Sequence, residues 1–297
     1  MAVLLFSSLI GLAFIAGTAS VFFRFGWKSL SAIVPVTVGI AFAAYASNGG
    51  GSAEYAIMVF APSFTGVVAG YSFRNMKSLQ FFAILTSVVI GCALTGNYYY
   101  QKVNGGVDLL QDTRQRAVEF FSQAQMDERE REESLAKLDA SLDLLKDVMP
   151  FAYFLNALST ALIGYFLARA LLRRTGAAAL EESPGLELFR LHDYLIFGLI
   201  GSWLAVLLLN RESYQVPHIA GLNLALCLSS LYLLQAVGIA KFVMGARNVP
   251  PFVLPLALIV VVILGAEFIM FFSIVLLSIG ALDFWADFRK LEAKSKN

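Results

Sequence analysis

The sequence predicts an all-α polytopic transmembrane bundle of eight spans, nine if the last is broken, with one extramembrane helical insertion. Three observations carry this reading. The 297 residues are 58% hydrophobic and only 14% charged, where a soluble domain carries roughly 25% charged residues. The apolar residues gather into eight long tracts, about 2–23, 29–46, 54–73, 78–97, 149–172, 193–209, 217–243 and 251–285. A helix of ~20 apolar residues crosses the ~30 Å hydrocarbon layer, and these runs lack the alternation of a β-barrel strand. Finally, eighteen of the forty-three charged residues fall in one stretch, Lys102 to Asp147.

Taken in order, residues 1–101 form an N-terminal half of four spans, 102–148 the charged insertion, and 149–297 a C-terminal half of four or five spans with an amphipathic tail. The first tract has no basic residue ahead of it and no small-residue cleavage site, so it reads as a retained helix and not a signal peptide. Gly66 and Gly70 in the third tract give a Gly-x-x-x-Gly spacing that permits close helix packing. Ala13 and Gly17 repeat the spacing in the first tract.

Basic residues in short loops orient the bundle. The first, third, fifth and seventh loops carry ten: Arg24, Lys28, Arg74, Lys77, Arg169, Arg173, Arg174, Arg190, Lys241 and Arg247. The second loop has none and the sixth has only Arg211. The odd loops are therefore expected inside and the N-terminus outside. The last tract, Pro251 to Trp285, has 35 residues, ~52 Å as one helix. A break near Gly265–Glu267 would return the basic tail to the inside.

The insertion has no Gly or Pro between Val107 and Met149 and a net charge of −4, from seven basic and eleven acidic residues. Leu135, Leu138, Leu142, Leu145 and Met149 repeat at steps of three and four, one apolar stripe on a helix. One helix of ~40 residues and a hairpin turning within 127–133 both fit, and the hairpin is preferred because an isolated stripe lacks the burial that stabilises it. The four leucines are candidate interface residues, for a partner protein or for a second copy of the chain.

Polar residues inside apolar tracts are candidate ligand-binding groups, because they are costly in hydrocarbon. Glu267, Asn223, Gln235 and Asn156 are the four. The carboxylate of Glu267 is the costliest, unless it marks the break. The three amides either line a cavity or hydrogen-bond between helices. Catalysis is not expected: serine-hydrolase, zinc-protease and phosphate-loop motifs are absent, and two histidines and two unpaired-looking cysteines leave no metal set. No cofactor is expected, and a net charge of +1 gives no reason to expect a nucleic-acid partner. The expected environment is the lipid bilayer.

Two segments carry a family resemblance. One is Tyr232-Leu-Leu-Gln235-Ala-Val-Gly-Ile-Ala-Lys241-Phe, followed by a basic turn and prolines. The other is Ile279-Gly-Ala-Leu-Asp283-Phe-Trp-Ala-Asp287-Phe-Arg289-Lys290. Together they resemble the YybS-like family of uncharacterised bacterial integral membrane proteins. Ala236 stands where that family usually has Gly, and the charged insertion falls outside the resemblance. The layout is similar to that of the solute-binding components of energy-coupling-factor transporters. The resemblance thus implies the bacterial cytoplasmic (inner) membrane and a transport-related, solute-binding role with an ATPase partner supplying energy. Read physically, Asp283, Asp287, Arg289 and Lys290 anchor a helix at its membrane exit through i, i+3 or i, i+4 pairs. A membrane scaffold or regulator acting through the 107–149 helices, with no ligand, is the competing expectation.

Overall fold

A computed structural model describes residues 9–47, 53–104, 109–123, 127–175 and 185–289; Lys290 lies outside them. Within these residues the chain is helical, with no strand. In order run α1 (Leu9–Phe25), a 3-10 turn (Gly26–Ser29), α2 (Leu30–Ser47), α3 (Ala53–Arg74), α4 (Leu79–Asn104), α5 (Leu109–Gln123) and α6 (Glu128–Arg174). A second 3-10 turn (Leu186–Leu188), α7 (Leu195–Leu208), α8 (Gln215–Ala246), α9 (Val253–Leu264) and α10 (Ala266–Ala286) follow.

Among the described residues each apolar tract is mostly helical, yet only five stretches are long and apolar enough to cross a membrane. They are Leu9–Ala43, α4, α6, α8 and α10; α7 and α9 are shorter apolar helices. The third tract, α3, lies in the middle of the bundle, where Ser63, Thr65 and Ser72 are buried. Ser63 and Thr65 return their hydroxyls to the carbonyls of Val59 and Ala61 (2.8 Å each), and Ser63 also meets Thr37 of α2 at 2.8 Å. A helix enclosed by protein does not need an apolar face for lipid, so its composition is mixed.

The glycine pair of α3 explains its closest contact. A Cβ at Gly66 would stand 2.7 Å from the Ile15 carbonyl, and one at Gly70 2.7 Å from that of Ala19. Only glycine lets α1 lie this close. In α1 itself, Gly17 meets nothing within 4 Å; it opens onto a hollow against α2 and takes no part in the packing. The main core gathers α1, α3, α4, α6, α7 and α8 around Tyr165, whose ring lies 4.6 Å from that of Phe73 and 4.9 Å from that of Phe82.

The charged insertion is a helical hairpin. Asp127 caps α6, its carboxylate accepting from the Glu128 N–H at 2.7 Å, and Glu128 and Glu130 occupy the first turn, where the helix dipole favours anions. Arg114 of α5 reaches Asp139 of α6 at 2.6 Å. Leu142 packs with Leu110, Met149 and Tyr98, so part of the leucine stripe closes the hairpin onto the end of α4. Leu135 and Leu138 are half-buried and Leu145 is exposed. Helix α6 then continues without a joint through the border at 148. Its 47 residues measure about 70 Å, and the insertion and the fifth tract are one rod.

Candidate polar nodes in the bundle

Between α6 and α7 the backbone from Gly185 to Tyr194 is mostly irregular, yet Phe189 and Leu191 are buried. Buried peptide groups must be paired, and in a membrane only protein can pair them. Side chains from two helices and from the segment just past α10 do this. The Leu191 N–H donates to Gln235 Oε1 of α8 at 2.7 Å. The Arg190 N–H donates to Gln80 Oε1 of α4 at 3.2 Å. Arg289, just past α10, donates through Nη1 to the carbonyls of Glu187 (3.1 Å) and Phe189 (2.9 Å).

Arg289 is fully buried, and its charge is matched by Asp283: Nη2 lies 2.7 Å from Oδ2, with the side chains 0% and 1% exposed. Gln235 Nε2 completes the cluster, donating to the Gly280 carbonyl and to Asp283 Oδ2, both at 3.1 Å. A side chain at Gly280 would run into the Tyr232 carbonyl, so glycine is what lets α10 reach Gln235. The chain turns back at Asp287 (φ 38°), whose carboxylate comes within 3.8 Å of Arg190. The two segments that carry the family resemblance are thus the two that build this node. The anchor differs from the expected one: its ion pair joins residues six apart across a helix end, and it is buried in protein and not at a solvated exit. Lys290 lies outside the described residues.

Lys241 pairs with Glu187 at 2.7 Å on the rim of the node. Burial pushes the Glu187 carboxyl up, but the hydrogen bond and charge of Lys241, with the charge of Arg169, outweigh it and hold the group below its ordinary value of 4.5.

A second node lies around Pro150, inside α6. Proline has no N–H, so the helix is weakened there. Asn223 of α8 inserts its amide across the next turn. Its Oδ1 accepts from the Phe151 N–H at 2.8 Å, and its Nδ2 donates to the Asp147 carbonyl at 2.7 Å. A regular helix pairs those two groups with each other. The Asn223 side chain is therefore a stand-in peptide group that ties the base of the hairpin to α8. The Asp147 carboxylate pairs with Arg211, between α7 and α8.

Asn223 and Gln235 hydrogen-bond between helices, and each has both N–H donors committed to protein. Glu267 is not a mid-helix carboxylate. The helix breaks at Gly265 (φ 101°), Glu267 sits exposed in the first turn of α10, and the helix dipole favours it there. Among the four ligand candidates only Asn156 keeps a buried acceptor, Oδ1, with no hydrogen bond. The structure brings none of the four together, and none lines the hollows found between α1 and α2, under the hairpin, or beside α8. Sequence reasoning missed Glu187, Gln80 and Pro150. Only Pro150 had a signal, the absent N–H.

A bundle of long apolar helices that encloses irregular backbone, and satisfies it with its own side chains, defines a polytopic integral membrane protein in contact with lipid. The chain belongs to the family of predicted membrane proteins DUF2232, whose match runs over residues 3–283. No curated protein and no solved structure matches it.

Proposed function

We propose that the protein is a membrane scaffold or regulator that acts through the α5–α6 hairpin and performs no catalysis. One observation carries the reading: α6 is a single helix from the hairpin into the bundle, and Asn223 grips it where they meet. A partner that moves the hairpin therefore loads α8 directly, and α8 also holds Gln235 of the buried node. The polar groups in the bundle serve the fold, which leaves the hairpin as the element with a surface to offer. We place the protein in a bacterial cytoplasmic membrane with eight spans, or nine with the tract broken at Gly265. A second copy meeting it at Leu135, Leu138 and Leu145 is the simplest partner.

Photo-crosslinking residues placed at Ala136 and Leu145 in cells test this. A discrete adduct, lost when Leu135 and Leu138 are changed to Lys, is expected. No adduct beyond that from a crosslinker at Val38, a control position in α2, would overturn the reading.

The resemblance to transporter solute-binding components supports a second reading, in which partner ATPase subunits supply energy. One feature favours it: a hollow of about 550 Å³ between α1 and α2, lined by Ala13, Gly17, Thr18 and Ile33, suits an apolar solute. Co-purification of an ATPase subunit with the chain, undisturbed by the leucine changes, would favour this reading over the scaffold.

A further inference from the structure

Helix α9 has no buried residue, and it leaves a half-enclosed gap against the end of α8. The gap measures about 390 Å³ and is lined by Leu186, Val237, Met244, Leu254 and Leu258. One cation, Lys241, belongs to the same lining. On α9, Leu254 and Leu258 are half-buried while Leu256 and Ile259 are exposed, so the gap has a defined wall. Hydrocarbon fills such a space better than water does, because water finds too few partners in it.

The cation has capacity to spare. An ammonium carries three N–H donors, and an ion pair with one Glu187 oxygen at 2.7 Å does not occupy all of them. Lys241 remains 48% exposed. A second positive charge, Arg169, is also close enough to act on Glu187. This end of α8 also belongs to the loops that hold ten basic residues, the side on which anionic lipids collect.

We propose that this gap binds an anionic phospholipid, with one acyl chain along Leu254 and Leu258 and the phosphate on the free donors of Lys241. Glu187 then fixes the ammonium at the mouth of the gap and leaves room for a single headgroup.

The test uses the full chain in neutral detergent, titrated with phosphatidylglycerol or phosphatidylcholine and read as bound lipid by native mass spectrometry. Phosphatidylglycerol should bind about fivefold more tightly, the attraction of one lysine for an anionic headgroup. Leu258→Trp fills the gap without touching the charges and should abolish binding of both lipids. Lys241→Gln should keep the gap and lose only the preference. Equal binding of the two lipids to the unaltered chain overturns the proposal, as does a preference that survives both substitutions. Inorganic phosphate that displaces the lipid at equal concentration also overturns it, because the site would then be a phosphate site.

Discussion

Two ion pairs of nearly equal length hold opposite ends of this molecule. Arg114 and Asp139 meet at 2.6 Å in the hairpin, with side chains 52% and 44% exposed. Arg289 and Asp283 meet at 2.7 Å in the bundle, where neither is exposed. The hairpin region carries eighteen charged residues and the node far fewer, yet the node is where charge decides the structure. Water competes for the hairpin pair and screens it. Nothing competes for the buried pair, and removing one partner strands the other in a low-dielectric interior. The number of charges in a segment is a poor guide to the work they do.

The largest expected effect breaks this contrast at the node. Arg289→Met leaves Asp283 unpaired and orphans the carbonyls of Glu187 and Phe189. A loss of about 3–5 kcal/mol is expected, as for other broken buried pairs. It would appear as a much lower melting temperature in detergent. The double variant Asp283→Leu/Arg289→Met should recover part of the loss, since no charge is then buried alone. A single Arg289→Met variant that melts with the unaltered protein would show that the pair carries no load.

The next effect lies at the join between the two regions. Asn223→Leu keeps the volume but frees the Phe151 N–H and the Asp147 carbonyl, at a cost of about 1–3 kcal/mol for unsatisfied buried groups. Its signature is positional. Spin labels at Ala136 on the hairpin and Val216 on α8 should show a broader distance distribution, with no change between labels at the exposed Val88 of α4 and Ile163 of α6. An unchanged 136–216 distribution would show that Asn223 does not hold the hairpin to α8.

Much of the architecture was legible in the tracts, because apolar runs dictate helices wherever they bury. The helices of the insertion were legible from the lack of Gly and Pro, but one long helix and a hairpin both fitted, and α6 is already helical from Glu128, so the helices part ahead of the expected 127–133 turn. The number of spans is less legible, since α3 is enclosed and mixed in composition and α9 is apolar but short. The nodes were half visible. Gln235 and Asn223 stood out as polar residues in apolar tracts, and Asp283 and Arg289 as a charged helix anchor, but their roles depend on which backbone fails to pair with itself. That is a property of Gly185–Tyr194 and of Pro150, and no local pattern announces an irregular segment that will be buried. Glu267 was half legible: the break expected near Gly265–Glu267 is present, with a helix starting at Ala266, and it turns a mid-tract carboxylate into a first-turn residue.

A smaller effect tests the rim between the regimes. The folded-state pKa of Glu187 is depressed, so the stability it contributes is present above its unfolded value. It is lost as the pH falls through the lower folded value. Melting temperature should therefore drop below pH 4.5, the ordinary value of the group. In Lys241→Gln that component of the drop should flatten. A Lys241→Gln variant with the same acid profile as the unaltered chain would place the acid sensitivity elsewhere.

The smallest effect is expected at the hairpin pair. Arg114→Ala removes a two-pronged contact, Nε and Nη2 onto the two Asp139 oxygens at 2.6 and 3.0 Å. In a buried site that geometry would be costly to lose. Here both partners are half exposed, and water solvates whichever remains. The hairpin is also held by Leu110, Leu142, Met149 and Tyr98, which need no charge. Melting temperature should barely change, and raising the salt from 50 mM to 1 M should leave the unaltered protein and the variant alike. Leu142→Ala, by contrast, should open the hairpin and expose α5 to protease. If Arg114→Ala opened it as readily, the ion pair and not the apolar stripe would hold the hairpin shut, and the contrast between the two ends of the molecule would fail.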